Sequence, residues 1–390
     1  MKYIFGMVFI VLQFVVTPLV FGQEAANQTA NEFQTPASHL IIMDHESGEI
    51  LFEKNAREPM FPASMTKIMT ASIVFDQIKS GALSLDEELK VSVDAWRRGG
   101  AASGSSTMYL DPNSNVKVRD LIRGVIVQSG NDACIVLAQG IAGSEEAFAE
   151  LMNAKAKELG LSTAHFVNAT GWPHPDHKIS AYDLARLARH SIESYPEMYK
   201  IYGEKDFKWN NINQPNRNPL FGSGIDGVDG LKTGHTQASK YGFVGSGFQD
   251  GKRIIFVVNG LETNSIRRSE SRRIMRSAFS EFKVYSILKE NQNVGTVDVF
   301  MGKNKTVPLV VSEDILVGLH KPARAKMNVQ IIYKNPIPAP ISKGDYIANM
   351  LITAPGRADE IVPLLAGEDV ARKSVFGRMT ASLVRKIRGE

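Results

Sequence analysis

The stretch Phe61–Leu83, FPASMTKIMTASIVFDQIKSGAL, joins a helical apolar pattern to a polar first turn. Ile68, Ala71, Ile73, Val74 and Ile78 recur at helical spacing, which predicts an amphipathic helix with one buried face. Ser64, Thr66 and Lys67 stand where that apolar stripe begins. Two readings follow. Pro62 and the hydroxyls are ordinary helix-start residues, which cap free N–H groups. Alternatively Lys67, one turn after Ser64, shares its helix face and acts on its hydroxyl. The spacing alone is weak evidence, because Ser286-Ile-Leu-Lys289 repeats it and reads as a solvated helix edge.

The chain of 390 residues has room for two domains and a large core. Its first 22 residues read as a secretory signal: Lys2, an apolar run, and small Val20 and Gly22 before a cleavage near Gly22/Gln23. An uncleaved anchor is the alternative, opposed by Pro18 within the run. The single Cys134 cannot form an internal disulfide and lies in an apolar helical run, NDACIVLAQGIAG, as a small core residue rather than a nucleophile. A net charge of +4 with no basic tract interleaved with aromatics excludes nucleic acid as a partner.

Basic residues gather at the end of the chain. In ARKSVFGRMTASLVRKIRGE, six cations oppose Glu390, and Val375, Phe376, Met379, Leu383, Val384 and Ile387 share a helical face. That pattern suits a helix lying in the plane of a membrane surface; docking on the protein's own domain is the other reading.

Between the ends, the expected plan is a linker over 23–38, a mixed helix-and-sheet domain over 39–288, a small all-β domain over 289–366 and the terminal helix over 367–390. HLIIMDHESGEILFEKN reads as a hairpin around Ser47-Gly48. KYGFVGSGFQ and RIIFVVNGLE are strands joined by Asp250-Gly251, and a helix is expected from about Ser265 to Leu288. RRGGAASGSSTMYLDPNSN and NATGWPHPDHKIS read as loops. His174 and His177 fall in the second, without a third ligand at suitable spacing, so they read as exposed residues and not as a metal site.

Two short motifs change the weight of Ser64 and Lys67. Ser129-Gly-Asn131 sits between two apolar helical runs, and Lys232-Thr-Gly234 sits at a predicted strand. Acyl transfer to a serine hydroxyl needs a base within hydrogen-bond reach. Lys67 meets that need if burial and a second cation, Lys232, favour its neutral form. Ser129 can then relay a proton to a leaving amine, while Asn131 orients Lys67 and a substrate amide. The N–H of Ser64 and an N–H beside Gly234 can form an oxyanion hole. This chemistry asks for no cofactor.

Ser64-Met-Thr-Lys67, Ser129-Gly-Asn131 and Lys232-Thr-Gly234, in that order, resemble the signature of the penicillin-binding, active-site-serine peptidases. The flanks SMTKIMTA, VKVRDLIRGVIVQSGNDA and VDGLKTGHT are similar to those of low-molecular-mass D-alanyl-D-alanine carboxypeptidases. The resemblance implies a β-lactamase-like fold, an antiparallel sheet flanked by helices, followed by a small all-β domain and an amphipathic anchor. It implies Ser64 as nucleophile, Lys67 as base, Ser129 and Asn131 as their partners, and Lys232, Thr233 and Gly234 as substrate-binding residues. It adds the N–H of His235 to the oxyanion hole, and gives Arg267 and Arg217 contacts in the cleft, with Arg268 a competitor for the role of Arg267. Peptidoglycan stem peptides would be the substrates and β-lactams the acylating inhibitors, in a periplasmic enzyme attached peripherally to the outer face of the inner membrane. Trp172 departs from the smaller aliphatic usual in this family, in a loop expected to be remote from the chemistry. The rivals are a class A β-lactamase, for which NATGWPHPDHKISAYDL lacks the deacylating glutamate, and a non-catalytic wall-binding scaffold.

Overall fold

Ile254-Ile-Phe-Val-Val258 is apolar at successive positions, the composition of a strand without a solvent face. The computed structural model describes residues 33–377 and Met379. In it this run is the centre of a five-stranded antiparallel sheet formed by β1 (His39–Asp44), β2 (Ile50–Lys54), β3 (Val228–Thr236), β4 (Lys240–Gln249) and β5 (Lys252–Leu261), in the spatial order β2-β1-β5-β4-β3. Asp250 and Gly251 both take left-handed φ values, 49° and 76°, which turn β4 tightly into β5. Side chains alternate across the sheet: Ile41, Met43, Val244, Ile255 and Val257 join the large helical core, and Leu40, Ile42, Phe243 and Phe256 point the other way.

Seven helices of seven residues or more complete this unit among the described residues: α1 (Lys67–Lys79), α2 (Val93–Gly99), α3 (Val118–Ile126), α4 (Asn131–Ala142), α5 (Glu145–Glu158), α6 (Ala181–Ser194) and α7 (Asn264–Ser280). Ser92, Ser144, Ser180 and Thr263 cap α2, α5, α6 and α7 with side-chain oxygens. Helix α1 has no such cap: Ala63–Thr66 form a 3-10 turn ahead of it, and neither Pro62 nor Thr66 caps with a side chain. Residues 67–75 are all buried, so α1 runs through the core rather than along its surface. Cys134 is fully buried in α4, and burial pushes its thiol up to about 12, as befits a core residue.

Contacts divide the chain into one compact unit of residues 34–282 and another that takes in the chain from Lys283 onward. Residues 34–38, which read as linker, are tied to the first unit: Thr35 donates to Glu270 at 2.7 Å and the Ser38 N–H to the Asn259 carbonyl at 3.1 Å. Helix α7 ends at Ser280, short of the expected Leu288, and Phe282–Leu288 form a strand. Phe282 continues the four-residue spacing of Ile274 and Ala278, so the helical stripe overruns the real end. Ser286 and Lys289 accordingly lie in and just after a strand, not on a helix edge.

Apart from a 3-10 turn and the helical residues at its end, the described residues of the second unit are all-β, as its alternating texture predicts. Asn328–Ile332, Tyr346–Thr353, Glu360–Ala366, Thr306–Val310 and Asn293–Phe300 pair in that spatial order around Val307, Leu309, Met350, Ile352 and Leu364. Val375–Gly377 and Met379 are helical, with Val375 and Phe376 exposed. The expected signal segment 1–22, linker residues 23–32, Arg378 and residues 380–390 of the terminal helix lie outside the described residues.

Candidate active site

The 3-10 turn places Ser64, which is partly exposed, above the first residue of α1, Lys67, which is 1% exposed. Ala63, just before Ser64, holds φ at 48°, a left-handed value that a residue with a Cβ keeps only under surrounding constraint. Those constraints are visible. A Cβ on Gly171 would come within 1.9 Å of the Ala63 carbonyl oxygen, and one on Gly234 within 2.7 Å of the Pro62 oxygen. The turn is gripped between β3 and the NATGW loop, and only glycines fit where the backbones approach.

Lys67 Nζ lies 2.9 Å from Ser64 Oγ, 2.7 Å from Asn131 Oδ1 and 2.9 Å from the Thr170 carbonyl oxygen. An ammonium has three N–H groups for these three partners, whereas the neutral amine has two and a lone pair. Asn131 Oδ1 and the Thr170 carbonyl can only accept. Ser64 can do either, so loss of one proton from Lys67 reverses a single bond and turns the lone pair toward the serine hydroxyl. Burial chiefly lowers Lys67, to about 8, and the charge of Arg217 acts in the same direction. The sequence assigns that repulsion to Lys232. Lys232 is itself pushed well down, by burial first and then by Lys67, Arg217 and Arg267.

The second motif turns between α3 and α4. Ser129 is buried with a left-handed φ of 60°, and Asn131 opens α4 with its amide nitrogen donating to Ser105 Oγ at 2.9 Å. Asp132, which the sequence does not single out, accepts from Thr107 Oγ1 and from the N–H groups of Met108, Leu110 and Ala133. It thereby ties the Gly/Ser-rich loop to α4 and holds Ser105 and Ser106 beside Asn131. Arg217 donates to Ser106 Oγ at 2.6 Å, which brings it to the same loop.

The third motif lies on β3, an outer strand of the sheet, where Lys232, Thr233, Gly234 and His235 pair with Val244, Phe243, Gly242 and Tyr241. Lys232, Thr233 and Gly234 are buried, and His235 is exposed with its ring edge-on to Tyr241 at 3.8 Å. Arg267 is buried against the same strand, donating to the Gly234 and Gly242 carbonyls at 3.3 and 3.4 Å, while Arg268 is exposed. Between the two arginines, the structure places Arg267 at β3.

Two loop expectations are corrected. His177 is not exposed: it is 2% accessible, accepts from the Val167 N–H on Nδ1, and so donates from Nε2 to Thr66 Oγ1 at 2.8 Å. Burial lowers it to about 4, so the imidazole is neutral packing under the turn that carries Ser64. Trp172 is not remote either, since it follows by two residues the Thr170 carbonyl that meets Lys67. Glu145, the carboxylate that reaches this loop, accepts from Arg98 at 2.8 Å and from the Ala169 N–H at 3.2 Å, one bond on each oxygen. Sequence signals for these contacts are absent, because each links segments far apart in the chain and one of them is a backbone carbonyl.

Similarity to known proteins extends over both units of the chain. Residues 25–263 match the family described as D-alanyl-D-alanine carboxypeptidase, and residues 282–372 match the penicillin-binding protein 5 C-terminal domain. The chain is 38% identical over 368 residues to the D-alanyl-D-alanine carboxypeptidase DacC of Escherichia coli, covering 94% of this chain and 91% of that one. Among solved structures, D-alanyl-D-alanine carboxypeptidase DacD from Francisella tularensis matches with a TM-score of 0.73 and 31% identity over 90% of this chain and 99% of that one. Penicillin binding protein 5 from Haemophilus influenzae matches with a TM-score of 0.66 and 34% identity, over 87% and 99%.

Proposed function

Because the chain belongs to the D-alanyl-D-alanine carboxypeptidase family, we propose that it removes the terminal D-alanine from peptidoglycan pentapeptide stems through an acyl-enzyme on Ser64. The observation that carries this reading is the 2.9 Å contact between Lys67 Nζ and Ser64 Oγ, with two carbonyl-type acceptors taking the other N–H groups. Neutral Lys67 takes the Ser64 proton as Oγ attacks the carbonyl carbon of the scissile amide. The resulting oxyanion is stabilised by the N–H groups of Ser64 and His235. As the C–N bond breaks, a proton passes to the leaving D-alanine nitrogen through Ser129, and an ester on Ser64 remains for water to hydrolyse. Lys232, Thr233 and Arg267 attract the substrate's terminal carboxylate, with Arg217 near the rim. A β-lactam acylates the same serine because its amide imitates the scissile bond.

The signal segment 1–22 is proposed to export the chain to the periplasm, and residues 367–390 to hold it on the outer face of the inner membrane. The basic, amphipathic composition of the terminal segment supports the second point, as does the exposure of Val375 and Phe376. Among the described residues no helix is long and apolar enough to cross a membrane. The working division is a peptidase domain over 39–288 and an all-β domain over 289–366, adjusted at both edges by the tied residues 34–38 and the strand from Phe282.

Fluorescent penicillin labelling with mass mapping of the adduct tests the assignment together with D-alanine release from a D-Ala-D-Ala-terminated peptide. The adduct is expected on Ser64, and Ser64→Ala should fold, remain unlabelled and release no D-alanine. An adduct on Ser129 or Ser286 contradicts the reading.

A further inference from the structure

A glutamate in the first turn of a helix ordinarily faces water and gains a little from the helix dipole. Glu145 opens α5 behind its cap Ser144 and yet is 5% exposed. Its two oxygens point to different elements. One accepts from Arg98 Nη2 of α2 at 2.8 Å, and the other from the Ala169 N–H at 3.2 Å. The Ala169 carbonyl in turn accepts from Thr70 Oγ1 of α1 at 2.6 Å, one turn beyond Lys67. Ala169 is thus pinned on both sides, and the next carbonyl along, that of Thr170, meets Lys67 Nζ at 2.9 Å. Asn168 Oδ1 gathers the N–H groups of Thr170, Gly171 and Trp172 and rounds off the same turn. The Arg98 guanidinium also lies over the Trp172 ring at 5.5 Å and bonds Asp94 at 3.2 Å, so it braces the carboxylate and the loop together.

We propose that Glu145, held by Arg98, is a positioning residue for Lys67, fixing the Ala169–Thr170 stretch whose carbonyl takes one of the Lys67 N–H groups. The inference rests on the reading of Lys67 as the base for Ser64. It assigns work to a half-buried ion pair that has no contact with the reacting atoms, and it gives the Trp172 loop a part in the chemistry.

The charges around Lys67 make the role measurable. Arg217 lowers it, and Lys232 on β3 is itself lowered by the charge of Lys67. From α4 come Asp132, which raises Lys67, and the Cys134 thiol, pushed up to about 12; from α5 comes Glu145, which also raises it. Removing the Glu145 charge therefore favours neutral Lys67. Removing Arg98 leaves the buried carboxylate without its cation and favours charged Lys67.

The test compares penicillin acylation rates against pH for the full chain, Glu145→Gln, Glu145→Ala, Arg98→Met and Lys67→Arg. Glu145→Gln keeps an acceptor for Ala169 and should move the alkaline-going limb to lower pH by a few tenths of a unit; Arg98→Met should move it to higher pH by a similar amount. Glu145→Ala removes the acceptor as well and should slow acylation by about 10- to 100-fold. A merely structural role would lower thermal stability without displacing the limbs in opposite directions. If Lys67→Arg is inactive while both limbs stay at the wild-type position, the positioning role is wrong and the base assignment stands. If Lys67→Arg acylates normally, the base assignment falls and this inference with it. Should Glu145→Ala fail to fold, Glu145→Gln and the half-exposed Arg98→Met still decide.

Discussion

Lys67 and Lys232 are both buried lysines, at 1% and 3% exposure, and both are lowered chiefly by burial. Their surroundings differ. Lys67 donates to three acceptors at 2.7 to 2.9 Å, supplied by its own turn, by α4 and by the NATGW loop. Lys232, among the described residues, donates to its neighbour's carbonyl, that of Thr233, at 3.4 Å. A satisfied amine is held in one place and can exchange a proton along a fixed direction. An under-satisfied one has donors left for an incoming anion, and Arg217 and Arg267 add positive charge around it. In the proposed mechanism these surroundings separate proton transfer from carboxylate capture on two strictly local pieces of chain, a helix start and an outer strand.

Lys67→Arg breaks the first half most severely. It keeps the charge but supplies no neutral amine, so penicillin acylation should fall on the order of 1000-fold while non-covalent binding persists. Lys232→Arg is milder, about tenfold, and should appear mainly as weaker saturation by a carboxylate-ended peptide, because a guanidinium still meets that anion. Equal losses in the two variants would erase the distinction. The smallest effect sharpens it: Arg217→Gln removes a cation that lowers Lys67, so the Lys67 value should rise and the acylation limb move to higher pH by a few tenths of a unit. A limb that moves to lower pH would show that Arg217 does not act on Lys67 through charge.

The sheet, the hairpin at Asp250-Gly251 and the three motifs were legible in the sequence because their signals are local. Alternation, turn residues and a three-residue spacing on a helix each fix geometry within a few positions. What escaped is long-range. Thr170 contributes a backbone carbonyl, which no side-chain type announces. Nothing in the sequence singles out Asp132 or Glu145, and only the folded chain reveals that one ties down the Gly/Ser-rich loop and the other Ala169. His177, in a loop of prolines and aspartates, has exposed neighbours, yet Thr66 and Val167 enclose it. The misplaced end of α7 has a similar cause, since Phe282 satisfies the helical period and the first position of a strand equally well.

The central claim is that the neutral form of Lys67, populated near physiological pH because burial lowers the ammonium to about 8, deprotonates Ser64. The most direct measurement is the rate constant for penicillin acylation of the wild-type chain across neutral and alkaline pH, read as adduct formation on Ser64. Burial puts Lys67 at about 8, so protonated lysine dominates below that value and the neutral base above it. The rate should climb through a single ionisation near pH 8 and level off beyond it. A rate that stays flat across that range, with the adduct still on Ser64, would contradict the account.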